Sequence, residues 1–114
     1  MTRRIARTLD LVADPLLIAE YQRWHAPGAV WPEVTCHLRS TGILSMEIWA
    51  LGSRLFMILE VSEDYPRPLE EPARVKEWER RMSEFQRPVA QAAPGEKWTD
   101  LERIFTLDAP GEAS

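Results

Sequence analysis

The sequence predicts one α+β domain with the ferredoxin-like order β-α-β-β-α-β. Segments whose apolar residues alternate with polar ones are interleaved with segments whose apolar residues recur every three or four positions, the periods of strands and helices. The 114 residues have the length of one domain, and 45% of them are apolar, which is enough to build a core. We therefore expect a single domain over residues 1–108 and a flexible tail over residues 109–114.

Composition excludes several classes of protein. The net charge of −4 argues against a nucleic-acid partner, since nucleic acids attract basic patches. No apolar run approaches the roughly 20 residues of a membrane span, so we expect no membrane partner, and the N-terminus does not have the pattern of a signal peptide. The lone Cys36 excludes an internal disulfide and a cysteine-based zinc cluster. We expect a cytoplasmic protein.

The first strand and the first helix follow from local pattern. Residues 7–12 alternate loosely between polar and apolar side chains, which predicts a strand with one solvated side. Asp14 and Pro15 are typical of a helix start, with Asp as the N-cap and Pro in the first turn. Apolar side chains then recur at helical spacing, which predicts a helix that runs to about His25.

A second, shorter helix is predicted to begin near residue 30 or 31. Pro32 suits a first turn, and Glu33 suits the positive end of the helix dipole. Gly42 is the usual left-handed residue after a helix and predicts its end.

The clearest element is a hairpin of residues 43–50 and 54–61, joined by a turn that contains Gly52. In the first strand, alternation places Met46 with Leu44 and Ile48, and Ile43 on the opposite face. The second strand is almost continuously apolar, which is typical of burial on both faces.

The last third of the chain predicts a helix over residues 72–86 and a final strand over residues 101–107. Both helices would lie on one face of the sheet, so apolar residues of the two middle strands would remain on the other. We expect a second copy to cover that face as a homodimer, or the domain to curl around a cavity there, and both can hold at once.

Tyr21 and His25 are the first candidates for chemistry. They are four residues apart and share one face of the first helix. The imidazole pKa of about 6.5 suits proton transfer near neutral pH, but a histidine at a helix end also caps carbonyls. His37 is interpreted as a solvated helix residue, and the two histidines do not have zinc spacing.

Five tryptophans are many for this length. Each is an apolar core residue in the simplest interpretation, but the face of an indole ring is also a platform for the C–H groups of a sugar. Trp78 lies between Glu77 and Glu79 in the predicted third helix and is the candidate for such a platform.

Nearly the whole chain resembles the L-rhamnose mutarotase family. The resemblance is carried by Glu20-Tyr21-Gln22-Arg23-x-His25, Trp31-Pro32-Glu33, Leu55-Phe56-Met57-x-x-Glu60-Val61, Trp78-x-x-x-Met82 and Leu101-Glu102-x-Ile104-Phe105-x-Leu107. It implies a dimeric α/β barrel and an isomerase that exchanges the α and β anomers of a free sugar. No metal, nucleotide or other cofactor is implied.

The resemblance also assigns roles to residues. It places the family's proton donor at His25 and a sugar-contacting tyrosine at Tyr21. A second family tyrosine falls on Met46, and a tandem tryptophan pair falls on Trp78 and Glu79, so two substrate contacts differ here. Two extra residues lie before Trp-Pro-Glu. With Val-Trp-Pro-Glu-Val and Met-Glu-Ile-Trp, these departures resemble a branch that acts on L-fucose. The expected substrate is L-fucose or L-rhamnose, which are both 6-deoxy-L-hexoses, and L-fucose is favoured.

On this reading His25 transfers a proton and Tyr21 aligns the sugar. Glu79 would bind a hydroxyl or act as the complementary base, with Glu47 and Glu60 as alternatives. A cofactor-free oxygenase and a small-ligand binding module are the other functions considered, because the same dimeric sheet serves them. Oxygen uptake and anomer exchange would separate the three.

Overall fold

Eight elements follow one another along residues 2–107, the part of the chain that the structure, a computed structural model, describes. They are β1 (Thr2–Leu11), α1 (Pro15–Trp24), α2 (Pro32–Thr41), β2 (Ile43–Leu51), β3 (Arg54–Ser62), α3 (Ala73–Ser83), β4 (Gln86–Arg87) and β5 (Thr99–Asp100). The tail predicted over residues 109–114 lies outside the described residues.

The strands form one antiparallel sheet in the order β2-β3-β1-β4, with β5 also paired to β1. Side chains of all three helices pack on the face of the sheet that carries Leu11 and Leu55. We call this the helix face, and the opposite side the outer face. The strand order and the one-sided helices confirm the predicted ferredoxin-like α+β fold.

The helix boundaries agree with their local signals. The Asp14 carboxylate accepts hydrogen bonds from the backbone N–H groups of Leu16 and Leu17, at 2.8 and 3.4 Å, and so caps α1. Gly42 ends α2 with φ of 112°. A Cβ there would lie 2.6 Å from Ser62 Oγ, so this position needs glycine both for its backbone conformation and for the close approach of β3.

The hairpin of β2 and β3 is confirmed, but one detail of its alternation was wrong. A bulge between Ile43 and Ser45 shifts the register, so that Ile43 pairs with Val61 while Met46 pairs with Leu59. Ile43 therefore lies on the helix face with Met46, not opposite it. The extra residue of a bulge reverses the inward and outward alternation on one side of it.

Strand β3 is buried on only one of its two faces, whereas the sequence predicted burial on both. Leu55, Met57, Leu59 and Val61 are buried on the helix face, whereas Ile58 on the outer face is exposed. An apolar run therefore predicts burial without telling whether the covering layer belongs to the same chain.

Helix α3 ends three residues before its predicted limit. The carbonyl of Phe85 accepts a hydrogen bond of 2.8 Å from the N–H of Val12, and Gln86 pairs with Leu11 in β4. Pairing with the end of β1 replaces the last helical turn, although the helical spacing of apolar residues continues to Phe85.

The strand predicted over residues 101–107 is not formed. Asp100 pairs with Arg7 in β5, and the N–H of Leu101 donates to the carbonyl of Ala6 at 2.8 Å, where pairing with β1 stops. Every residue from 101 to 107 is exposed, Ile104 at 91% and Phe105 at 75%. The alternation that predicted a strand is present, but no strand of the described sheet pairs with it.

Candidate active site

A cavity of about 330 Å³ lies between the helices and the helix face of β2 and β3. Ligand pockets are typically about 300–1,000 Å³, so this cavity suits a small ligand. The five residues that the family resemblance places at the sugar all line it: Tyr21, His25, Met46, Trp78 and Glu79.

His25 follows the last turn of α1, and its imidazole has a defined orientation. Its Nδ1 lies 2.9 Å from the carbonyl oxygen of Tyr21. Because a carbonyl only accepts, Nδ1 carries the hydrogen, and in the neutral ring Nε2 holds the lone pair. His25 therefore caps a carbonyl at the end of α1, as the sequence allowed. This contact leaves Nε2 as the nitrogen that can act on a ligand.

Burial sets the charge of the imidazole. Removal from water lowers the pKa of His25, and the hydrogen bond to the Tyr21 carbonyl and the negative charge of Glu79 oppose this only in part. The ring is consequently neutral at pH 7 and has the protonation state of a base. Glu79 would stabilise the imidazolium that forms when Nε2 takes a proton.

The phenol of Tyr21 is beside the imidazole. The two ring centroids are 4.4 Å apart, and the Tyr21 side chain is buried. Gln86 Nε2 donates to Tyr21 Oη at 3.3 Å, and burial raises the pKa of Tyr21 despite this bond. Tyr21 therefore keeps its proton at neutral pH and can donate it in a hydrogen bond.

Trp78 forms an aromatic part of the cavity wall. Its ring meets those of Trp24, Trp31 and His25 edge to face, with centroids 5.7, 5.2 and 5.6 Å away. The Trp31 ring is in turn covered by the Arg74 guanidinium at 3.6 Å. Trp78 is buried and also lines the cavity, so the core and platform interpretations of this residue are compatible.

The acidic candidates separate clearly. Glu79 is half-buried at the cavity, and its carboxylate lies 3.6 Å from Lys97 Nζ. Glu47 and Glu60 do not line the cavity, and the strand register places both on the outer face. Of the three carboxylates considered, only Glu79 is placed to meet a ligand there.

Met46 belongs to an apolar wall that β2 and β3 contribute. Ile43, Ile48 and Met57 line the same cavity. Polar groups from α1, α3 and β4 thus share one small space with aliphatic side chains from the sheet. Such a mixture can hold a molecule that has both hydroxyl groups and an apolar edge.

Several lining residues were not predicted. They include Thr35, Arg39, Ser45, Gln86 and Trp98. Gln86 was placed at the end of a helix, and nothing in the local sequence indicates that β4 carries it to the cavity. The position of Gln86 depends on a tertiary contact, because its pairing with Leu11 fixes its backbone.

The described residues offer neither a metal site nor a membrane-spanning helix. Along residues 2–107 no group of three or more His, Cys, Asp or Glu side chains is arranged to hold a metal ion. No helix in the same range is long and apolar enough to cross a membrane.

Known proteins similar to this chain fall into one group. The model of the L-rhamnose mutarotase family matches residues 4–107. An L-fucose mutarotase from Xanthomonas campestris pv. campestris is 44% identical, over 92% of this chain and 88% of that protein. A UPF0734 protein from Dictyostelium discoideum is 35% identical, over 90% of this chain and 88% of that protein.

A solved structure agrees with the fold. An L-rhamnose mutarotase from Formosa agariphila superposes with a TM-score of 0.68, at 24% identity, over 93% of this chain and 99% of the other. The family model covers almost the whole chain, including the elements that build the cavity. This chain therefore belongs to the L-rhamnose mutarotase family and is a sugar mutarotase, an isomerase.

Proposed function

We propose that this enzyme exchanges the α and β anomers of a free 6-deoxy-L-hexose and prefers L-fucose to L-rhamnose. The observation that carries the proposal is the half-buried His25, which lines a small cavity beside Tyr21 and is neutral at pH 7 because burial lowers its pKa. The 44% identical relative named as an L-fucose mutarotase supports the choice of sugar. We expect the enzyme in the cytoplasm, where a lone exposed Cys36 stays reduced.

The imidazole of His25 would move one proton between two oxygens of the sugar. Nε2 takes the proton of the anomeric hydroxyl and returns it to the ring oxygen as the bond from that oxygen to the anomeric carbon breaks. Both oxygens are bonded to the same carbon, so one nitrogen can reach both. Rotation of the aldehyde and the reverse steps then close the ring on its other face.

Tyr21 and Glu79 would support this transfer in different ways. The protonated phenol of Tyr21 donates a hydrogen bond that aligns the sugar next to Nε2. The Glu79 carboxylate stabilises the imidazolium while it holds the proton, and it can also accept a hydrogen bond from a sugar hydroxyl. A positioned acid–base group of this kind typically contributes roughly 10²–10⁴-fold to the rate.

Trp78 and Met46 would hold the apolar parts of the sugar. An indole packs on the C–H face of a pyranose, and a thioether adapts its shape to a methyl group such as the one that 6-deoxy sugars carry. Met46 and Glu79 stand where the family has Tyr and Trp by the sequence comparison above. We expect this changed wall to favour the hydroxyl arrangement of L-fucose.

We further propose that the enzyme is a homodimer joined through the outer face. Trp49 and Leu51 on that face are 59% and 76% exposed. Ile104, Phe105 and Leu107, in the exposed segment that follows β5, are further apolar side chains open to solvent. A second copy would cover both surfaces at once, and the two sheets would form the dimeric barrel.

Saturation-transfer NMR on the purified enzyme tests the proposal. L-fucose and L-rhamnose are each brought to anomeric equilibrium, and one anomeric proton is saturated. We expect transfer to the other anomer well above the uncatalysed rate, and faster for L-fucose. Exchange at the rate of buffer for both sugars would refute the proposed function, whereas equal or reversed rates would refute only the preference.

A further inference from the structure

Gln86 is a buried polar residue that the reaction described above does not use. Its side chain is 8% exposed, and its Nε2 donates to Tyr21 Oη. Its Oε1 is buried and has no hydrogen-bond partner among the described residues. Loss of water without a replacement hydrogen bond is costly for an amide oxygen, so such an atom needs a physical reason.

The position of Gln86 supplies one. It lines the cavity together with Tyr21 and His25, and pairing of β4 with β1 fixes its backbone there. The terminal torsion of a glutamine side chain has a broad range, so a small turn of the amide can direct Oε1 towards a ligand in the cavity. The ligand would then supply the hydrogen bond that the described residues do not.

We propose that Oε1 of Gln86 accepts a hydrogen bond from one ring hydroxyl of the sugar and that Gln86 is a residue that determines specificity. The inference rests on the proposed function, since the hydroxyl belongs to the monosaccharide substrate. The same amide donates to Tyr21 Oη through Nε2. Gln86 would therefore bind a correctly placed hydroxyl and orient the phenol of Tyr21 at the same time. A sugar without that hydroxyl leaves Oε1 buried and unpaired, which is how a polar site rejects an analogue.

The test pairs sugars that lack one hydroxyl with substitutions at Gln86. Anomer exchange is measured for L-fucose and for its 2-, 3- and 4-deoxy derivatives, each rate divided by the uncatalysed rate of the same sugar. In the unchanged enzyme we expect one derivative to lose roughly two- to tenfold in kcat/KM through this contact, the range of a net hydrogen bond. In Gln86→Met, which has a similar volume without the amide, that loss should disappear and the losses for the other derivatives should remain.

Gln86→Glu separates the two ends of the amide. It keeps an acceptor oxygen and removes the amide donor, so we expect discrimination for the same hydroxyl to persist. The matched control is Gln91→Met, a change at an exposed glutamine that does not line the cavity, which should leave all ratios unchanged. Unchanged discrimination in Gln86→Met, or lost discrimination in Gln86→Glu, would show that Gln86 does not read a hydroxyl.

A measurement on the unchanged enzyme keeps the test independent of how the variants fold. The side-chain amide of Gln86 gives its own ¹⁵N–¹H signals, which should move when L-fucose binds. They should stay in place when the bound sugar is the deoxy derivative that lacks the hydroxyl recognised by Gln86. Signals that ignore L-fucose at saturation would overturn the inference. Lack of anomer exchange with moving signals would instead overturn the proposed function and leave sugar recognition by Gln86 intact.

Discussion

The two faces of the sheet carry similar apolar side chains in very different surroundings. On the helix face, Leu9, Leu59 and Val61 are fully buried beneath the layer that the helices form. On the outer face, Trp49 and Leu51 are exposed, and no helix of the described residues packs over them. Alternation along one strand thus gives two apolar surfaces, and the helices of the described residues cover one of them.

The difference assigns separate tasks to the faces. The helices bury Tyr21 and half-bury His25 on the helix face, and this burial shifts the pKa values of both. The outer face carries exposed apolar side chains such as Trp49 and Leu51. We therefore propose that the chemistry takes place on the covered face and that a second copy associates with the open one. Substitutions on one face should leave the task of the other unchanged.

The largest expected effect is on the covered face. His25→Ala removes the only imidazole at the cavity, and we expect anomer exchange to fall roughly 10²–10⁴-fold. The oligomeric state should not change, because His25 is remote in the fold from the outer face. Saturation-transfer NMR measures the first quantity and analytical ultracentrifugation the second.

His37→Ala is the matched control for this prediction. His37 is on α2 and does not line the cavity, so its removal should leave exchange within about twofold of the original rate. Full exchange in His25→Ala would contradict the assigned role. Equal losses in both variants would point to damage of the fold rather than of the chemistry.

An intermediate effect is expected on the open face. Trp49→Asp places a charge on the proposed dimer contact, and we expect the dissociation constant of the dimer to rise at least about thirtyfold, as for a buried interface aromatic. Sedimentation across a concentration series would show the shift from twice the chain mass to the chain mass. Exchange per chain should survive if the cavity is complete in one copy.

Leu16→Asp is the control for exposure alone. Leu16 is 80% exposed but lies in the first turn of α1, where an acidic residue suits the helix dipole. This variant should sediment like the original protein. A protein that is a monomer before any substitution, at concentrations well above micromolar, would rule out the proposed homodimer.

The contrast between faces also explains what the sequence could predict. Tyr21 and His25 share a helix face because of spacing alone, so their proximity was predictable from residues four positions apart. The hairpin and the cap at Gly42 are equally local. Features that depend on partners far along the chain were not predictable in this way.

Three misses show this dependence. The bulge after Ile43 depends on how β2 meets β3, and the early end of α3 depends on pairing of Gln86 with Leu11. Segment 101–107 has the alternation of a strand but no strand of the described residues as its partner. Local sequence pattern predicts which side chains are apolar and favour burial. Which surface covers them depends on the whole fold or on an assembly.

The smallest expected effect is a shift in the pH dependence of kcat/KM, and it tests whether burial on the covered face tunes the pKa of His25. In the proposed mechanism a neutral His25 acts first as a base, so kcat/KM should fall as acid protonates it. Because burial lowers its pKa, the midpoint of that fall should lie below the usual value of about 6.5, with more than half of the maximal rate retained at pH 6.5. Rates corrected for buffer catalysis between about pH 4.5 and 8 would locate the midpoint.

Glu79→Gln tests the electrostatic part of this prediction. The Glu79 charge stabilises the imidazolium and raises the pKa of His25, so its removal should move the acidic midpoint to still lower pH. Glu84→Gln, an exposed change after α3 that does not line the cavity, should leave the midpoint in place. A midpoint at or above 6.5 in the original enzyme would mean that the imidazole is not desolvated during the reaction. Burial of a titratable group would then no longer distinguish the covered face from the open one.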